Sequence, residues 1–137
     1  MNISSKCDYA CRAVVALALH GATNKPVTAT MLAKERNIPE KYLVHILLQL
    51  KKAGIVNSIR GAQGGYLLAR PADGISLLDV VSAIDGSILN PRPGNDNTCT
   101  DLQQTWETIS EKVENAFSSV TIQSILDNST QPDMYFI

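Results

Sequence analysis

The sequence predicts a mainly α fold with one small β-hairpin, and three observations carry that expectation. Between Pro39 and Gly54, Leu43, Leu47, Leu50 and Ala53 recur at helical spacing, which predicts a helix with one buried stripe. Directly afterwards come two short strand-like runs, Val56 to Ile59 and Tyr66 to Ala69. Gly61, Ala62, Gln63, Gly64 and Gly65 supply turn chemistry between them. From Asp101 onward, Leu102, Trp106, Ile109, Val113, Ala116 and Val120 are spaced 4, 3, 4, 3 and 4 apart, a heptad seam. A helix, a glycine-rich hairpin and a long C-terminal helix are the parts of a winged helix-turn-helix followed by a dimerisation helix.

The remaining elements follow from caps and breakers. Ser5 and Asp8 form a capping-box pattern, opening a helix from Lys6 to His20 that ends at Gly21. Tyr9, Ala13, Ala16 and Leu17 belong to its buried face. Thr28 caps a second helix, Ala29 to Arg36, ended by Asn37, and the gap to Pro39 is the tight turn of a helix-turn-helix. Pro39 suits the first turn of the third helix, and Gly54 suits its C′ position. Ser76 and Asp79 repeat the capping box before a short helix, Leu77 to Ile84, closed near Gly86. Ser87 to Thr100, with two Pro, one Gly and three Asn, reads as a loop. Thr121 caps a last short helix through Asp127. The expected organisation is a DNA-binding unit over 1–86, a loop over 87–100, dimerisation and terminal helices over 101–127, and a tail over 128–137.

Charge points to the same reading. The net charge of −1 hides an asymmetry: residues 1–70 carry ten bases against three acids, net +7, while residues 71–137 carry two against ten, net −8. A basic half on an otherwise acidic chain is the footprint of a nucleic-acid face. In a helix-turn-helix the start of the third helix meets base edges, which places Lys41, Val44 and His45 there. Val44 can meet a thymine methyl, and His45 can donate or accept a hydrogen bond. Lys51 and Lys52 add charge at the end of that helix. On the wing, Arg60, Gln63 and Tyr66 face DNA, Arg being favoured where the minor groove is most negative. Gly64 and Gly65 let the wing backbone approach phosphates. Lys6 and Thr28, near helix N-termini, are placed for phosphate contact.

Other classes find little support. No glycine-rich phosphate loop opens a helix after a strand, and His20 and His45 stand far apart in sequence, so an enzyme is not expected. No run approaches the length of a membrane span, and the N-terminus lacks the apolar core of a signal peptide, so a cytoplasmic protein is expected. Three cysteines, Cys7, Cys11 and Cys99, are too few for a disulfide framework and point to reduced thiols or ligands. The rival reading is an interaction module, resting on the apolar tail Met134, Tyr135, Phe136 and Ile137. An Ile carboxylate is a compact ligand for a pocket with backbone donors.

The stretches Ile38 to Leu43, Leu50 to Val56 and Arg60 to Tyr66 resemble the core signature of the Rrf-two (Rrf2) family of bacterial dimeric winged-helix regulators. The resemblance runs from about Ser4 to Leu126 and is most specific at the wing. It implies a homodimer on palindromic double-stranded DNA. Its relatives often carry Glu-Gln where this chain has Val44 and His45, so an operator sequence does not carry over. The family's iron–sulfur members usually place three cysteines in the loop before the long helix; here that loop holds only Cys99. One expectation is thus a cluster-free protein, as in the CymR-like branch, with Cys99 an exposed thiol. The other is a cluster, of the two-iron type, held by Cys7, Asp8 and Cys11 of one chain and Cys99 of the other. In NsrR-like relatives an acid aligned with Asp8 reaches across the dimer. Soft thiolates suit such a cluster, whereas capping and packing would equally occupy Asp8, Cys7 and Cys11. The tail is similar to that of CymR-like regulators, which implies O-acetylserine thiol-lyase as a partner.

Overall fold

The computed structural model describes residues 2–87 and 100–129. These form α1 (Ser5–Leu19), α2 (Ala29–Arg36), α3 (Glu40–Lys52), β1 (Val56–Ile59), β2 (Gly65–Leu68), α4 (Leu77–Asp85), α5 (Thr100–Ser118) and α6 (Ile122–Ser129), with short 3-10 turns at His20–Thr23 and Ala72–Gly74. Most of the predicted loop, Cys99 with it, and the tail residues Met134, Tyr135, Phe136 and Ile137 lie outside the described residues.

The first helix is the hub, packing against α2, α3, α4, α6 and β2. Its inward residues Ala10, Ala13 and Ala16 are fully buried, and such small side chains let neighbouring helices come close. Its cap is Ser4, not the expected Ser5. Ser4 is extended (φ −69°, ψ 156°), and its hydroxyl accepts from the Cys7 amide at 3.0 Å. Asp8 does not reach back to close a capping box; its carboxylate pairs with Arg12 at 2.7 Å.

In α3, Leu43, Leu47 and Leu50 are buried as expected, and Ile46 completes the stripe. Ala53 is exposed instead, because it is the C-cap beyond the last helical turn. Pro39 sits at the N-cap, one place before the first turn. Gly54 (φ +77°) does end the helix in a Schellman motif: its amide donates to the Lys51 carbonyl at 3.0 Å, and the Ile55 amide to Leu50 at 3.0 Å.

The hairpin pairs Val56 with Leu68 and Ile59 with Gly65, antiparallel. The second strand starts one residue earlier than expected because Gly65 pairs with Ile59, and Val27 binds its other edge at Tyr66. The Tyr66 amide donates to the Val27 carbonyl at 2.8 Å, and the Val27 amide to the Tyr66 carbonyl at 3.0 Å. Ser76 and Asp79 form the full reciprocal capping box at the start of α4.

The seam residues Leu102, Trp106 and Ile109 of α5 are 48%, 48% and 39% exposed, so the described residues do not bury them. Val120 is not on the helical seam, since α5 ends at Ser118. Its carbonyl instead accepts from the Leu77 amide at 2.7 Å, and the Ile122 amide donates to Ile75 at 2.9 Å. This bridge and the fully buried Ile122 fasten the α5–α6 junction to the hub. Thr121 caps α6, its hydroxyl accepting from the Ser124 amide at 3.0 Å.

Candidate nucleic-acid interface

The helix-turn-helix is set by Asn37 in the left-handed conformation (φ 53°) and the fixed φ of Pro39. Thr30 donates to the Glu40 carboxylate at 2.8 Å, tying α2 to the first turn of α3. With Leu43, Ile46, Leu47 and Leu50 turned inward, the outward arc of α3 carries Lys41, Val44, His45, Leu48 and Lys52, all exposed. Tyr42, on the edge of that arc, shares a cleft of about 410 Å³ with Ser5, Lys6 and Tyr9. Lys6 at the start of α1 therefore adjoins the start of α3.

The wing follows directly. Arg60 and Gln63 are exposed beyond the ends of the strands. Gly61 (φ +118°) turns the chain, and a Cβ at Gly64 would overlap the Ile59 carbonyl oxygen. Thr28 caps α2 by accepting from the Met31 amide at 3.2 Å, and it stands beside Gly65 at the base of the wing. Two expected contacts have other work in the fold. Lys51 donates to the Ser58 hydroxyl at 2.8 Å, linking α3 to β1. Tyr66 is half-buried against the core. The exposed apolar residues Tyr42 and Leu48 were not among the expected site residues. Helical periodicity shows them off the buried stripe, but it does not say that apolar side chains there await a ligand.

The thiols lie in the first two turns of α1. Cys7 is fully buried and Cys11 half-buried, both free. They hydrogen-bond to each other, which pushes the Cys11 thiol well above its ordinary range, and burial adds to the shift. The same bond pulls Cys7 down, against the opposing effects of burial and of Asp85. Asp85 is itself held by the Ser4 hydroxyl at 2.9 Å. Nothing in the sequence pattern pointed to Asp85, which comes from α4. Asp8 faces elsewhere, paired with Arg12. Of the expected cluster ligand set, Cys7 and Cys11 meet on α1 with Cys7 enclosed, the exposed Asp8 carboxylate pairs with Arg12, and Cys99 lies outside the described residues. Among the described residues no group of three or more His, Cys, Asp or Glu is placed to hold a metal.

Residues 3–128 match the family model Rrf2, described as an iron-dependent transcriptional regulator. The chain belongs to the Rrf2 family. It is 31% identical to the HTH-type transcriptional regulator IscR of Xenorhabdus nematophila over 141 residues, covering 98% of this chain and 84% of that protein. The solved structure of T. potens IscR superposes with a TM-score of 0.76 at 30% identity, covering 99% of this chain and 97% of that one. That of CymR, the global cysteine regulator of B. subtilis, superposes with a TM-score of 0.79 at 29% identity, over 93% and 98%. The protein is thus an Rrf2-type helix-turn-helix transcriptional regulator, a DNA-binding protein and not an enzyme. No helix among the described residues is long and apolar enough to cross a membrane.

Proposed function

We propose that this regulator works as a homodimer on a two-fold symmetric operator and answers a sulfur- or redox-linked signal. In this reading residues 1–86 are the DNA-binding unit and 101–127 the arm that pairs two copies. Lys41, Val44 and His45 meet base edges, Arg60 and Gln63 form the wing contact, and Lys6, Thr28 and Lys52 grip phosphates. The observation that carries it is the outward arc of α3, bounded by lysines and leading straight into an arginine-tipped wing. A second observation supports the signal: a mutually bonded thiol pair on α1, Cys7 buried and Cys11 half-buried, on the helix that also packs against α3. The likeness to a global cysteine regulator agrees with a sulfur signal. Docking of the tail to O-acetylserine thiol-lyase, a cysteine-biosynthetic enzyme, would be a further output of such a protein.

The test is titration of labelled duplexes, selected from a random pool by the full-length protein. Arg60→Ala should weaken binding by about 1–3 kcal/mol if Arg60 reads a base or a narrow groove. Unchanged affinity in Arg60→Ala would remove the wing from the interface. For the signal, anaerobic reconstitution with iron and sulfide is informative. If Cys7 ligates a cluster, Cys7→Ser should lower the bound iron, whereas iron retained undiminished would remove Cys7 from the ligand set.

A further inference from the structure

The outward arc of α3 has an unusual make-up for a surface that meets a polyanion. Val44 and Leu48 are 51% and 50% exposed. They are one turn apart on one face, so their side chains are neighbours. Lys41 stands one turn before Val44, and Lys52 one turn after Leu48. Those lysines stand eleven positions apart, about 16 Å along the axis. That span can straddle a major groove about 12 Å wide and reach phosphates on both sides. Between the two charged ends the arc has one hydrogen-bonding side chain, His45, and an apolar pair. A large exposed apolar pair in the middle of a DNA-facing helix has no benefit in water. It gains one only against apolar surface, and the major groove offers a single apolar group on its base edges, the C5-methyl of thymine.

The geometry points to direct readout of thymine methyls by Val44 and Leu48, with the lysines holding the helix at that depth. This rests on the DNA-binding reading and adds the chemistry of the site it selects: each half-site contains thymines under α3, recognised by burial of their methyl groups. His45 supplies the one polar contact and sets register. The operator is thereby distinguished from a G·C-rich site chiefly by apolar contact and not by bidentate hydrogen bonds.

The experiment uses the full-length protein and a duplex selected by it from a random pool. Each thymine is replaced in turn by deoxyuridine, which lacks only the methyl group. One or two positions per half-site should lose roughly three- to fivefold in affinity, the effect of one buried methyl. That loss should vanish in Val44→Ala at one position and in Leu48→Ala at the other. Both side chains are exposed, so the variants should keep the parent's thermal stability. Equal binding of thymine and deoxyuridine duplexes at every position would overturn the inference while leaving DNA binding intact. So would selected half-sites without thymine. Failure to enrich any duplex would overturn the DNA-binding reading itself, and the inference with it.

Discussion

Gly65 has φ +152°, and a Cβ there would stand 2.6 Å from the Val27 carbonyl oxygen that accepts the Tyr66 amide. The glycine is needed for close approach as well as for its dihedral. Gly65→Ala should therefore destabilise the protein by about 2 kcal/mol or more, from strain and a clash with backbone that cannot move aside. Gly21→Ala, with nothing within 4 Å and an ordinary φ, should change stability by less than about 0.5 kcal/mol. Urea denaturation of the two variants separates these outcomes. The thiol pair makes a second case at this scale. The Cys11 thiol is raised above its ordinary 9.0 by its bond to Cys7 and by burial, so the unfolded chain loses that proton first. The resulting stabilisation is complete below pH 9.0 and is lost as pH rises from there toward the folded value. Cys7, shifted the other way, offsets part of it. In a Cys99→Ala background, ultraviolet thiolate absorbance should show Cys11 ionising much later in the folded protein than in urea. Cys7→Ala should bring it back toward its ordinary range. A Cys11 midpoint unmoved by Cys7→Ala would sink this account of the pair.

At the scale of single elements, α1 tests how far local rules reach. Ser4 and Ser5 are both competent caps by type. The pairing of Ser5 with Asp8 favoured Ser5, yet Ser4 takes the extended conformation and binds the Cys7 amide. Ser4→Ala should cost about 1 kcal/mol in thermal unfolding, with the loss of its bond to Asp85 added, while Ser5→Ala should be near neutral. The reverse ranking would return the cap to Ser5. Other boundaries were legible because the local signal was strong. Asn37, Gly54 and Ser76 with Asp79 end or begin their helices where expected, each by its own backbone geometry. What could not be read locally came from across the fold. Val27 extends the pairing of β2, Asp85 of α4 meets the thiols of α1, and Lys51 turns to Ser58. No periodicity in one segment carries information about a partner many residues away. The wing and α3 were thus readable as one winged helix-turn-helix from spacing and turn chemistry. The commitments of Lys51, Tyr66 and Asp8 became visible only in the packed chain.

At the scale of the whole molecule, the unfinished surface is on α5. Leu102, Trp106 and Ile109 lie on one side of that helix, and much of each is exposed in the single chain. The heptad spacing of 4 and 3 favours a second helix as the cover, and in the proposed homodimer a copy of the same helix would supply it by symmetry. The basic half of the chain, +7 over residues 1–70, would then be presented twice to one DNA. Trp106→Glu places a charge where the seam should close, at a position already exposed in the folded chain, so helix content should persist by circular dichroism. Sedimentation should show a dimer for the parent and a monomer for the variant, with parent indole emission to the blue of the variant's. Operator affinity should fall by about a hundredfold or more, since linked binding of two half-sites commonly gains a factor of about 10²–10⁴ over one. Glu107→Lys, one residue along and off the seam, controls for a general effect of charge on α5. If Trp106→Glu stays dimeric and binds the operator as the parent does, another surface joins the copies. The exposed seam would then need a different partner.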